Sequence, residues 1–261
     1  MSFDESRFHE LRREQELTLG EPLIALATVT STNDLALEAA RNGAAHGATF
    51  VADEQTSGRG RQGRRWFAPS GESLLCSCVT RPALRAADAG ALPLAVGLAV
   101  REVVSRHVPA TATPMLKWPN DVLVSHKKIC GVLVESQVRG SELAAAVIGV
   151  GLNLRTTDFP DGLAGAATSI AALGGDVPAR EEILVELLRE LARYLALVEE
   201  RGLAALAPEL ERYDALIDLR VDVDGVTGRA RGLDPGGRLL VVDDQGVEHR
   251  FVSGHVRLLD G

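Results

Sequence analysis

Cysteine is nearly absent from this 261-residue chain: Cys76, Cys78 and Cys130 are the only three. So sparse and odd a set gives no disulfide framework. Cys76 and Cys78 alternate within Ser73-Leu74-Leu75-Cys76-Ser77-Cys78-Val79, a strand-like run in which both point to one face as small core residues. The six histidines (His9, His46, His107, His126, His249 and His255) are scattered, without metal-ligand spacing. No uncharged apolar run reaches the ~18 residues of a membrane span. Residues 1–16 are charged and lack the apolar segment of a secretory signal, so the expected compartment is the cytoplasm. Aromatic residues make up 4% of the chain, a thin supply for stacking nucleic-acid bases. The formal net charge is −8, whereas a duplex-binding surface is basic. There is no G-x-S-x-G and no cysteine in a reactive setting.

What remains is an ordinary globular composition, 46% hydrophobic and 25% charged, with enough apolar residues for a sizeable core. The length suits one large domain and a small one. Residues 1–20 are polar apart from a few such as Phe3, Phe8 and Leu11, and read as a short extension with one helix. Strands are expected at 23–29, 48–52, 73–79, 115–118, 121–124, 129–138 and 143–152, with hairpin spacing that makes the sheet largely antiparallel or mixed. Ser31-Thr32-Asn33-Asp34 is a polar N-cap cluster opening a helix that Asn42-Gly43 closes. Further helices are expected at 92–108, 179–200 and 203–216. From Leu219 the chain alternates and turns often, through Asp224-Gly225, Asp234-Pro235-Gly236-Gly237 and Asp243-Asp244-Gln245-Gly246, the pattern of a small β-barrel or sandwich. The expected division is an extension over 1–20, a main domain over 21–217 and a β-domain over 218–261.

The most informative segment is Ser57-Gly58-Arg59-Gly60-Arg61-Gln62-Gly63-Arg64-Arg65-Trp66. If it is extended, Arg59 and Arg61 project to one side. Such a pair suits a phosphate, because guanidinium is planar and permanently charged. The bland alternative is a solvated basic loop, but so dense a cluster is unusual in an acidic chain. Gly58, Gly60 and Gly63 also match G-x-G-x-x-G. The residues after Gly63 do not open a helix, however, and no acidic strand end follows at the required distance, so a dinucleotide site fails on context.

Lys117-Trp118-Pro119-Asn120-Asp121 puts a lysine, an amide and a carboxylate at a strand-turn-strand junction, although Pro-Asn-Asp is good turn material in its own right. Lys128 opens an apolar strand, as an exposed end or as a cation aimed into a site. Gly131 within that strand suggests a bulge or a close approach of ligand to backbone. Gly149 and Gly151 again leave room in a buried-looking strand, and Asn153 gives it a polar end. None of these segments pairs a covalent nucleophile with a base. The chemistry they suggest is phosphate handling by position and charge.

In chain order, Gly58-Arg59-Gly60-Arg61-x-Gly63-Arg64-x-Trp66, Lys117-Trp118-Pro119-Asn120-Asp121, Lys128-x-x-Gly131-x-Leu133-x-Glu135 and Gly149-x-Gly151-x-Asn153 resemble the biotin–protein ligases. Ser31-Thr32-Asn33 fits that family's biotin-site signature, and the match runs from about residue 23 to 170. The resemblance implies an α+β fold. A mixed sheet with flanking helices, like that of class II aminoacyl-tRNA synthetases, is followed by an SH3-like barrel. It implies an enzyme that uses ATP and Mg²⁺ to make biotinyl-5'-AMP, with no tightly bound cofactor. The biotin then passes to a lysine of a biotin carboxyl carrier protein, or of the carrier domain of an acyl-CoA or pyruvate carboxylase. Larger members carry an N-terminal winged helix that represses transcription. Here the catalytic region starts near residue 20, so a monofunctional ligase is expected, with no nucleic-acid or membrane partner, as monomer or homodimer.

The resemblance also implies roles. Ser31, Thr32, Asn33 and Gln55 would take the biotin head group, with Gly60 and the backbone near Gly131. Arg59 and Arg61 would hold the biotin carboxylate and the ATP phosphates, on a loop that orders with ligand. Trp66 would pack over the buried ligand, and Lys128 would sit between carboxylate and α-phosphate. Arg64, Lys117, Asn153 and Thr168 would join Asn120 and Asp121 at the nucleotide. Asn120 and Asp121 would lie near Mg²⁺, and the loop 155–168 would cover the adenine. Lys128, Arg59, Arg61 and Asp121 form the catalytic set, with Asp121 helping the acceptor amine lose its proton. No arginine near the last strand aligns cleanly with the family's, so a contact from the C-terminal unit to ATP is not carried over. A lipoate–protein ligase shares the chemistry but is expected to carry a different Arg-Gly motif. An RNA-binding module would leave Lys117 to Asp121 and Lys128 unexplained.

Overall fold

The computed structural model describes residues 2–259. Asp4 caps the first helix, α1 (Glu5–Glu14), its carboxylate accepting from the Arg7 N–H. The apolar residues Phe8 and Leu11 of α1 are buried, as a lone amphipathic turn requires. Gly20, with φ +90°, lets the chain pass the Phe8 ring, where a Cβ would stand 2.8 Å away.

Seven strands follow: β1 (Leu23–Val29), β2 (Thr49–Gln55), β3 (Ser73–Thr80), β4 (Pro114–Lys117), β5 (Asp121–Val124), β6 (Lys127–Arg139) and β7 (Glu142–Asn153). They form one sheet in the order β1-β2-β3-β7-β6-β5-β4. β1 and β2 are parallel, linked by the crossover helix α2 (Thr32–Arg41), and every other pairing is antiparallel. The sheet is therefore mixed.

Helices lie on both faces. Ala36 and Ala40 of α2 pack with Phe50, Val79 and Val147 on one side. On the other, α3 (Ala91–His107) and α4 (Arg180–Arg201) cover the larger core, which includes Cys76 and Cys78. β3 is buried throughout because helices cover both its faces. Burial pushes both cysteine thiols well up, that of Cys78 to about 11, so neither is a nucleophile.

The expected helix over 203–216 is broken: a 3-10 turn, Leu203–Leu206, precedes α5 (Ala207–Arg212). Pro208 has no N–H to give and is tolerated only in the first turn of a helix. The run ends at Asp214, whose carboxylate accepts from the Leu216 N–H at 2.8 Å.

Five strands close the chain: β8 (Arg220–Val223), β9 (Val226–Leu233), β10 (Leu239–Asp243), β11 (Glu248–Phe251) and β12 (Val256–Leu258). They form an antiparallel sheet in the order β11-β10-β9-β8-β12, the SH3-like unit. The β8–β9 turn is made by Asp224 and Gly225, at φ +50° and +93°. Val221, Val223, Ala230, Leu239, Val241 and Val256 are buried and join the main core. Among the described residues, no helix is long and apolar enough to cross a membrane.

Candidate active site

The parallel crossover from β1 to β2 brings the start of α2 beside Gln55 at the end of β2. Ser31 occupies the N-cap position but makes no side-chain cap bond. The cap comes from Gln55, whose Oε1 accepts from the Thr32 N–H at 2.8 Å. Thr32 Oγ1 lies 2.8 Å from Ser77 Oγ, Ser77 donates to Asn33 Oδ1 at 2.9 Å, and Asn33 Nδ2 donates to Glu135 Oε2 at 2.6 Å. Ser31, Thr32, Asn33 and Ser77 are all buried, so the cavity meets a corner of neutral polar groups backed by the Glu135 carboxylate.

The Gly/Arg segment closes on itself. Trp66 N–H donates to the Gly58 carbonyl at 3.0 Å and Gly60 N–H to the Arg64 carbonyl at 2.6 Å. The backbone is extended at Gly60 and then turns through Arg61–Gly63, with Gln62 left-handed at φ +56°. The condition of one extended run is thus met only as far as Gly60, and the two arginines share no partner. Arg59 binds the carboxylates of Asp34 and Glu135. Arg61 Nη1 donates to Asn120 Oδ1 at 3.2 Å. Burial lowers the Arg61 guanidinium below its ordinary value; Arg64 adds to this and the charge of Asp121 opposes it. Arg64 Nη1 lies 3.3 Å from His255 Nδ1, which brings the C-terminal unit to the rim.

Trp66 rests on a floor of glycine. A Cβ at Gly151 would stand 2.6 Å from the indole and one at Gly131 2.9 Å from it, while a Cβ at Gly149 would stand 2.2 Å from Asn33 Oδ1. Part of the room left by these three glycines is thus taken by the protein's own Trp66 and Asn33 side chains, and all three glycines also line the cavity. Lys128 Nζ lies 5.3 Å from the Trp66 ring centroid.

Lys117 and Asp121 face each other across the β4–β5 hairpin, and Lys128 Nζ lies 2.6 Å from Asp121 Oδ1. Burial pulls the Lys117 ammonium below its ordinary value; Lys128 and Arg64 push the same way, and Asp121 pushes back. Asn120 is fixed through Nδ2, which donates to the Val132 carbonyl at 2.6 Å. The loop after β7 is pinned to Lys128 on both sides: Lys128 N–H donates to Ala166 at 2.8 Å and Thr168 N–H to the Lys128 carbonyl at 2.9 Å.

These pieces enclose a cavity of about 260 Å³. Ser31, Thr32, Asn33, Gln55, Arg59, Gly60, Arg61, Arg64, Trp66, Asn120, Asp121, Lys128, Gly131 and Asn153 all line it. A buried neutral corner and a cluster of cations around one carboxylate therefore share one chamber.

Residues 25–153 match the model of the Biotin/lipoate A/B protein ligase family. The chain is 35% identical over 228 residues to the biotin–[acetyl-CoA-carboxylase] ligase of Mycobacterium tuberculosis, covering 83% of this chain and 82% of that one. It is 31% identical over 244 residues to the bifunctional ligase/repressor BirA of Escherichia coli, covering 92% and 74%. The chain belongs to the biotin–protein ligase family. The biotin protein ligase of Aquifex aeolicus, solved in complex with biotin and ATP, matches 91% of this chain and 98% of its own with a TM-score of 0.76 at 28% identity. The expected fold class is the one observed.

Two of the expected site residues do not reach the ligase's cavity wall. Lys117 stands behind Asp121 on the hairpin, and Thr168 is buried, its carbonyl accepting from Asn153 Nδ2 at 2.9 Å. The cavity also takes in Phe159, Leu163, Ala166 and Ala167 from the loop 155–168, together with Ser77 and Phe67, which sequence reasoning missed. Of these two, Ser77 carried a signal, as the hydroxyl between two cysteines in an apolar strand. Among the described residues, no three His, Cys, Asp or Glu side chains gather as a metal centre. Asp121 is paired with Lys128 and Asn120 with Arg61. Such a donor set suits a Mg²⁺ held largely by phosphates, not one caged by protein.

Proposed function

We propose that this ligase activates biotin with ATP as biotinyl-5'-AMP and passes the biotin to a lysine of a carrier domain, such as those of acyl-CoA or pyruvate carboxylases. The observation that carries the reading is the split character of the cavity. Thr32, Ser77, Asn33 and Gln55 offer neutral hydrogen-bonding groups suited to a ureido ring. Arg61, Arg64 and Lys128 offer charge suited to a carboxylate and a phosphate chain. The likeness to a structure solved with biotin and ATP supports both substrates. The name of the M. tuberculosis relative supports a carboxylase as acceptor.

In the first step a biotin carboxylate oxygen attacks the α-phosphorus. The bond from that phosphorus to the bridging oxygen breaks, and pyrophosphate leaves. Lys128, held by Asp121 at 2.6 Å, and the desolvated Arg61 meet the charge that develops on the phosphorus oxygens. Mg²⁺, entering on the phosphates beside Asn120 and Asp121, would neutralise the leaving group. Arg59 is committed to Asp34 and Glu135, so its part is to anchor the Gly/Arg segment. That segment and the loop 155–168 keep water from the mixed anhydride.

In the second step the carrier's amine attacks the acyl carbon, an amide forms and AMP leaves. In this reading Asp121, paired with Lys128 on the cavity wall, takes the amine's proton. ATP–pyrophosphate exchange with biotin, with lipoate and with no acid tests the reading. Exchange with biotin alone supports it, exchange with lipoate alone reassigns the acid, and no exchange overturns it.

A further inference from the structure

Glu135 has no role in the chemistry above and does not line the cavity, yet it joins two parts of the site. We infer that Glu135 is a positioning residue, coupling occupation of the neutral pocket to closure of the Gly/Arg segment. This rests on the acid-activating reading just given.

Gln55 Oε1 already accepts from the Thr32 N–H, and the single hydroxyl proton of Ser77 goes to Asn33 Oδ1. The Thr32 hydroxyl faces two acceptors, Ser77 Oγ at 2.8 Å and Gln55 Oε1 at 3.1 Å, and so ties Gln55 to the row. The amide of Asn33 is then fixed in orientation, and its Nδ2 proton goes to Glu135 Oε2 at 2.6 Å. Gly149 backs against Asn33 Oδ1, so the amide is wedged in place. From Ser77 onward each donor points toward one carboxylate, an arrangement in which each bond polarises the next. The other oxygen of Glu135 holds Arg59 Nη2 at 3.1 Å, and Arg59 also pairs with Asp34 in the first turn of α2. Arg59 opens the segment that Gly60–Arg64 and Trp66–Gly58 hydrogen bonds close. A ligand bonded to Thr32 or Gln55 therefore stiffens the row, the carboxylate and the segment's anchor together.

Glu135→Gln is the decisive variant, made in the full chain. The amide oxygen still accepts from Asn33, while an NH₂ group replaces the oxygen that faces Arg59. The KM for biotin in ATP–pyrophosphate exchange is expected to rise about tenfold, with the KM for ATP within about twofold. Biotin should no longer slow proteolysis within residues 57–67, and the melting temperature should hold. Glu135→Asp should restore part of the protection. Adding Arg59→Gln to Glu135→Gln should cause little further rise in the biotin KM, because both break one link.

A Glu135→Gln protein with the parental biotin KM and parental protection overturns the coupling alone. Equal rises in both KM values with a lowered melting temperature overturn it too, since they mark a merely structural role. No biotin-dependent exchange in the unsubstituted chain removes the proposed function, and the coupling with it.

Discussion

The indole Nε1 of Trp118 donates to the carbonyl of Gly237 at 3.0 Å, joining the turn that carries Asn120 and Asp121 to the β9–β10 turn of the C-terminal unit. Trp118 is 4% exposed, so its ring is packed as well as bonded. Trp118→Phe keeps most of the packing and should lose about 1 kcal/mol of stability, the usual worth of one such bond. Trp118→Ala should lose about 3–5 kcal/mol. Urea unfolding checks both, and a Phe variant as stable as the parent would show that the bond contributes nothing.

Lys128 and Asp121 form an ion pair on the wall of the cavity, and Lys128 is the cation nearest the Trp66 ring. Removing a preorganised charge from a developing phosphate charge typically costs about 10²–10³ in rate. Lys128→Ala should therefore lower the turnover of biotin-dependent exchange by about that factor. An equilibrium binding measurement with biotin alone should change far less. Exchange at the parental rate would remove Lys128 from the chemistry.

Gly151 lies under the Trp66 indole with no space for a methyl group. Gly151→Ala must lift the ring or shift β7, and overpacking of this kind costs about 1–3 kcal/mol. The expected result is altered tryptophan fluorescence and loss of most exchange activity, with the fold retained by circular dichroism. Full activity would mean that the indole does not need its floor.

Gly151 also marks where the sequence stopped being legible. A glycine in an apolar strand announces that space is needed, but not whether a ligand or a tryptophan 85 positions away along the chain fills it. The same limit hid Gln55 as the cap of α2: Ser31 satisfies the local cap pattern, while the acceptor comes from the neighbouring strand. The carboxylate partners of Arg59, Asp34 and Glu135, arrive from two other elements, so the Gly/Arg segment alone could not announce them. His255 against Arg64 is a contact between units that no spacing encodes. By contrast, the alternation in the sheet, Asn42-Gly43 at the end of α2 and Asp224-Gly225 between β8 and β9 were readable. They are set by local side-chain pattern and by φ above zero. The order of motifs was enough to place most of the cavity wall, since each motif sits at a strand end or turn that the sheet brings together.

Asp214 supplies a test that is independent of substrates. It is 8% exposed, its Oδ1 accepts from the Leu216 N–H at 2.8 Å, and its Oδ2 is buried without a hydrogen-bond partner. Burial pushes its carboxyl up to about 6, against backbone hydrogen bonds that pull it down. Between roughly pH 4 and 6 the folded chain then binds a proton that the unfolded chain has released, so this group's contribution to stability falls as pH rises through the folded value. It is fully present below about pH 4 and gone above about pH 7. Asp214→Asn removes the titration while Oδ1 can still accept from Leu216. It also leaves a buried NH₂ unpaired at every pH, a fixed cost of about 1–3 kcal/mol. The expected signature is therefore in the slope: the stability of the variant relative to the parent should climb by on the order of 2–3 kcal/mol from pH 4 to pH 7. Urea unfolding at four or five pH values measures it, and a difference that stays flat across that range would place Asp214 among carboxylates that ionise as they do in water.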